Sequence, residues 1–109
     1  MTNTIFFGFL LVTVSTLNAA TYKGQKVYMN VCKDCHGGGQ ELAASKNIRT
    51  WEKLMDKKGD KLMQIHLDSK KAKESWEYFQ DRKFTKDSKH LEDFLVEYAR
   101  DSGNVPACN

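Results

Sequence analysis
The stretch Cys32-Lys33-Asp34-Cys35-His36 constrains this chain more than any other. Two cysteines with two residues between them, followed at once by a histidine, form the pattern of covalent haem attachment. The chemistry explains the spacing. Each thiol adds across one vinyl group of a haem, and a gap of two residues lets one helical turn reach both vinyls. The adjacent histidine then lies under the iron and binds it through one ring nitrogen. The other nitrogen donates to a carbonyl, which fixes the ring. A thioredoxin-like redox pair also uses C-x-x-C, but it needs a βαβ setting, and strand alternation is not evident here. A structural zinc site could be assembled on paper from Cys32, Cys35, Cys108 and a histidine. No second C-x-x-C or H-x-x-x-H supports it.

Haem attachment of this type takes place outside the cytoplasm, and the N-terminus agrees with export. The first charged side chain is Lys23, and an apolar run from Ile5 to Leu17 precedes it, broken by Gly8, Thr13, Ser15 and Thr16. Spanning a bilayer takes roughly twenty apolar residues, so the run is short for an anchor and suits a secretory signal. Ala19 and Ala20 supply small residues for cleavage. The absence of an early Lys or Arg, and Asn18 before the cut, fit less well. The expectation is a signal peptide over 1–20 and one folded domain over 21–109, located in the periplasm. The membrane enters only if the segment stays uncleaved.

The 17 basic and 14 acidic side chains give a net charge of +3. The lysines are scattered and accompany no nucleic-acid-binding motif, so nucleic acid is not expected as a partner. A folded domain of about 90 residues is small for a self-sufficient core, and a covalently held apolar macrocycle is an effective staple. Three cysteines are an odd number for an exported chain. Cys108 is left over, as a free thiol in a monomer or as the bridge of a disulfide-linked dimer.

Helical spacing runs through the domain. Gly24, Val27, Tyr28 and Val31 share one helix face. Trp51, Leu54 and Met55 form a second stripe, with Thr50 as its N-cap and Gly59 as its stop. Asp60 can cap a short helix carrying Leu62, Ile65 and His66, and Ser69 another carrying Ala72, Trp76 and Phe79. Leu91, Phe94, Leu95 and Tyr98 mark a last helix, capped by Asp87 and ended by Gly103. From Cys35 to about Ser45 the glycines Gly37, Gly38 and Gly39 read as a loop. The fold class expected is all-α.

With these residues the chain resembles the small class I cytochromes c of bacteria. Gly24-x-x-x-Tyr28 ahead of the motif, Cys32 to Gly37, and the stripe Leu91, Phe94, Leu95 and Tyr98 carry the resemblance, over Tyr22 to about Arg100. It implies a small helical domain wrapped around one covalently attached haem c, with Cys32 and Cys35 as attachment points and His36 as proximal iron ligand. It also implies that the last helix crosses the first at Gly24. The function implied is single-electron transfer between redox protein partners, and no acid–base pair or nucleophile argues for an enzyme. Lys57, Lys58 and Lys61, and Lys70, Lys71 and Lys73, are local basic clusters that can steer acidic partners or stand as solvated faces.

The family usually supplies its second iron ligand as a Met in the loop before the last helix, yet residues 68–89 contain neither Met nor Pro. The other candidates are Met55, Met63, His66 and His90. Met55 shares a stripe with Trp51 and Leu54, as a core methionine does. His90 belongs to the helix that braces the first. His66 shares its face with Leu62 and Ile65, so it is expected to point inward as the distal ligand, with Met63 as the alternative. An open sixth position would instead make a haem protein that binds a small ligand or reduces peroxide. A subunit docked in a larger redox complex is a further rival. Trp51, Trp76, Phe79 and Phe94 are candidates to line the haem or to form ordinary core.

Overall fold
Phe84, Ser88, Leu91 and Leu95 recur at i, i+4, i+7 and i+11, one stripe of a long helix, and all four are buried. That stripe organises the domain in the computed structural model, which describes Ile5, Gly8, Phe9 and residues 17–104. The helix, α6 (Arg82–Glu97), is the hub against which four of the other helices pack. The remaining elements are α1 (Leu17–Val31), α2 (Lys33–His36), α3 (Gly39–Ala43), α4 (Ile48–Leu67), a 3₁₀ segment over Lys70–Ser75, and α5 (Trp76–Gln80). Every regular element among the described residues is helical, as the spacing predicts. No helix there is long and apolar enough to cross a membrane. Most of the expected signal segment and Cys108 lie outside the described residues; Leu17–Ala20 continue α1.

The most extensive contact is between α1 and α6. Gly24 is its closest point. A Cβ built there would collide with the His90 carbonyl and lie 2.6 Å from the Phe94 Cβ. The glycine therefore permits a backbone-to-side-chain approach that any other residue would block. Tyr28 packs beside this crossing, its ring centre 5.8 Å from that of Phe94, and both are almost fully buried. Trp51, Met55, Phe79 and Phe84 complete the core between α4, α5 and α6.

Several boundaries differ from the sequence expectation. The last helix begins at Arg82, not after Asp87, and Asp81 caps it by accepting from the Lys83 amide at 2.9 Å. Ser88, a polar residue at a buried position, hides the continuation of the stripe to Phe84; its hydroxyl is satisfied by the Thr85 carbonyl at 2.9 Å. The helix also stops at Glu97, ahead of Gly103. The chain is drawn off there because the Arg100 amide donates to the Lys46 carbonyl and the Ile48 amide donates to the Asp101 carboxylate. Asn47 caps α4, accepting from the Thr50 amide, so Thr50 is inside the helix and not its cap. Ser69 makes no side-chain cap bond, and the segment it precedes is 3₁₀ before it becomes α5. The glycine-rich stretch contains α3, which Trp51 anchors by donating from Nε1 to the buried Ala43 carbonyl.

α4 is kinked. Lys57, Lys58 and Gly59 all have positive φ, which divides α4 into residues 48–55 and 60–67. Left-handed backbone costs an L-residue on the order of 1–2 kcal/mol. The return is contact: Gly59 presses on Phe84, and a Cβ there would lie 2.5 Å from the ring. The break turns the second half of α4, with Leu62, Ile65 and His66, toward α2.

Gly24→Ala in haem-loaded protein is expected to lower stability by about 1–3 kcal/mol through overpacking at the crossing. Thermal unfolding followed by circular dichroism reads this. Gly38→Ala, whose Cβ meets only ordinary contacts, serves as the near-neutral control.

Candidate functional site
The Cys32–His36 motif stays helical because α1 hands its hydrogen-bond ladder to α2. The Cys32 amide donates to the Tyr28 carbonyl, the His36 amide to the Cys32 carbonyl, and the Gly37 amide to the Lys33 carbonyl. Gly37 then turns the chain away with φ of 75°. The Tyr28 hydroxyl donates to the Gly37 carbonyl at 2.7 Å, tying the turn after the motif to the helix crossing.

Cys32, Cys35 and His36 form one wall of a cavity of about 380 Å³, faced by Ile65, His66 and Phe79. A deeper apolar space of about 70 Å³ shares Cys32, His36, His66 and Phe79 and extends to Trp51 and Leu91. The His36 and His66 ring centres are 5.9 Å apart with planes at 71°. Ile65, an apolar side chain on the cavity wall, is 51 % exposed. Sites for cofactors are mostly apolar clefts of about 300–1,000 Å³ with few polar groups. An apolar cleft of this size, two thiols on one helical turn, facing imidazoles and an uncovered isoleucine all fit a haem.

Burial first, and the neighbouring Cys35 second, push the Cys32 thiol up to about 11. Partial desolvation, with His66 facing it, holds His36 below the usual histidine value, so its neutral, metal-binding form is favoured. Burial and the hydrogen bond to Asp87 raise the Tyr78 phenol far above the ordinary tyrosine value; its hydroxyl donates to the Asp87 carboxylate at 2.9 Å. Asp87 lies inside α6 instead of capping it, and its pairing with Tyr78 beside the inner cavity leaves no mark in the sequence. No sequence spacing links two residues on separate helices.

The other expected residues separate clearly. Trp51 and Phe79 line the cavity space, whereas Trp76 and Phe94 line neither part of it. Phe94 belongs to the helix crossing instead. Trp76 donates from Nε1 to the carbonyls of His66, at 2.7 Å, and Ser69, at 3.2 Å, so it fastens the end of α4. Met55 is buried in the core, and Met63 packs against that core without reaching the cavity. His90 lies in α6, and it lines neither part of the cavity. Its Nδ1 is buried with no partner. No strand, and so no βαβ setting for a thioredoxin-like pair, occurs among the described residues; the zinc set includes Cys108, which lies outside them.

The sequence model of the cytochrome c family matches residues 22–94. Searches of curated proteins and of solved structures gave no match.

The Tyr28 phenol, 1 % exposed, is raised by burial to about 12. A phenol raised in the fold adds stability that is present below its unfolded value of about 10 and is lost as pH climbs toward the folded value. Tyr28→Phe should cost about 0.5–1.5 kcal/mol at neutral pH by removing the bond to Gly37. It should also flatten the loss of stability above pH ~10. Denaturant midpoints at neutral and alkaline pH give both quantities.

Proposed function
Because the chain belongs to the cytochrome c family, whose members carry covalently bound haem c, we propose that it is an exported single-electron carrier with one haem held by Cys32 and Cys35. His36 would be the iron ligand from the same helical turn. The observation that carries this reading is the grouping of Cys32, Cys35 and His36 on one wall of an apolar cleft inside the matched segment. Attachment would need only these two thiols, because an S–H adding whole across a vinyl C=C makes a thioether with nothing leaving and no oxidant consumed.

When bound, the haem supplies an iron that cycles between ferric and ferrous states. The chain's residues set the conditions for that cycle. Cys32 and Cys35 would hold the macrocycle, His36 would offer an imidazole nitrogen, and Trp51, Leu62 and Phe79 would surround the inner edge with apolar surface. In this reading the protein would take one electron from a donor protein and give one to an acceptor, without transfer of an atom. The exposed Lys70, Lys71 and Lys73 lie in the 3₁₀ segment, and Lys71 reaches the cleft. They suit acidic redox partners attracted at long range. The N-terminal apolar run and the extracytoplasmic chemistry of thioether formation support a periplasmic location.

Protein made with the c-type maturation machinery should carry one haem that survives acid-acetone extraction, seen by mass spectrometry. It should titrate as a one-electron couple. Cys32→Ser or Cys35→Ser should weaken attachment. A mature protein without haem, or with haem that is readily extracted, overturns the reading.

A further inference from the structure
We infer that His66 is the second axial ligand, so that the iron is held between two imidazoles and its sixth position is closed. This rests on the reading that a haem is attached at Cys32 and Cys35 over His36. The separation of the two rings comes first. Metal–imidazole bonds are about 2 Å, so with about 1.1 Å from nitrogen to ring centre on each side, two imidazoles on opposite sides of one metal stand about 6 Å apart. The His36 and His66 centres are 5.9 Å apart across the cleft.

The tautomer of His66 points the same way. His66 Nδ1 is 2.8 Å from the Leu62 carbonyl one turn back. A carbonyl can only accept, so Nδ1 carries the hydrogen and the free lone pair is on Nε2. That is how a metal-binding histidine is prepared: one nitrogen donates to an oxygen and the other is left for the metal. The ring is also braced. Phe79 packs on it with centres 4.4 Å apart at 31°. Trp76 holds the His66 carbonyl, which fixes the last turn of α4.

Elimination gives the same answer. Residues 68–89 contain no Met. Met55 is 2 % exposed within the core, Met63 lines neither part of the cleft, and His90 is on the helix that crosses α1. Two imidazoles place the reduction potential below that of a His/Met haem, because a thioether ligand raises it.

The test uses the haem-loaded protein, with covalent haem first verified by mass. Wild type should be low-spin in both oxidation states, lack the near-infrared sulfur-to-iron band, and not bind carbon monoxide when reduced. His66→Ala should keep its haem, become high-spin, bind carbon monoxide, and return to low-spin on addition of free imidazole. His66→Met should gain the sulfur-to-iron band and a higher potential. Met63→Ala should match wild type. A sulfur-to-iron band in wild type, carbon monoxide binding by wild type, or an unchanged low-spin spectrum in His66→Ala overturns the assignment while leaving haem attachment intact. If His66→Ala fails to fold, the wild-type bands and carbon monoxide response decide alone. Wild type without covalent haem overturns the parent reading, and this inference with it.

Discussion
The approach of α1 to α6 at Gly24 is the contact on which the rest of the molecule depends. Two helices can come this close only where one of them has no side chain, and here the missing Cβ leaves room for the His90 carbonyl and Phe94. Tyr28, one turn further along α1, is thereby buried against Phe94, and its hydroxyl reaches the Gly37 carbonyl. Because α2 continues the ladder of α1, the crossing also determines where Cys32, Cys35 and His36 face. Packing at the helix crossing thus orients the wall that carries the chemistry of the cleft, and Tyr28 lines its inner part.

The opposite wall depends on a different device. α4 would run straight if its residues allowed it, but Lys57, Lys58 and Gly59 take left-handed backbone and redirect the second half. The unfavourable conformation is offset by contact of Gly59 with Phe84 and by the packing of Leu62 on the core. Trp76 then bonds the end of the helix from the following segment. Two walls are therefore held by separate parts of the core, and α6 is common to both. The walls of the cleft are thus fastened by helix packing and hydrogen bonds among the described residues.

The cleft is also uneven in polarity. Its inner part is apolar and touches Trp51, Leu62 and Leu91, while its outer rim carries Lys71, Ser69 and Ser75. An inner apolar wall suits a macrocycle and disfavours charge there, whereas the rim with Lys71 is polar and open to solvent. The proposed electron carrier needs both: a protected centre and one approachable edge.

The sequence by itself determined the chemistry of the first wall. Cys32, Cys35 and His36 are adjacent in the chain, so one helical turn brings them together whatever the fold around them. It also determined the all-α class and the two helices that cross, since apolar spacing and a glycine are local signals. Helix ends were less legible, because buried Ser88 interrupts the stripe of α6 and the tail residues Arg100 and Asp101 bond to residues near Asn47. The pairing of His66 with His36, the separation of Met63 from the cleft and the Tyr78–Asp87 bond were decided only by the tertiary structure. Helical period says which residues share a face, but not which distant face they meet. That depends on the kink at residues 56–59 and on how three helices divide one small core.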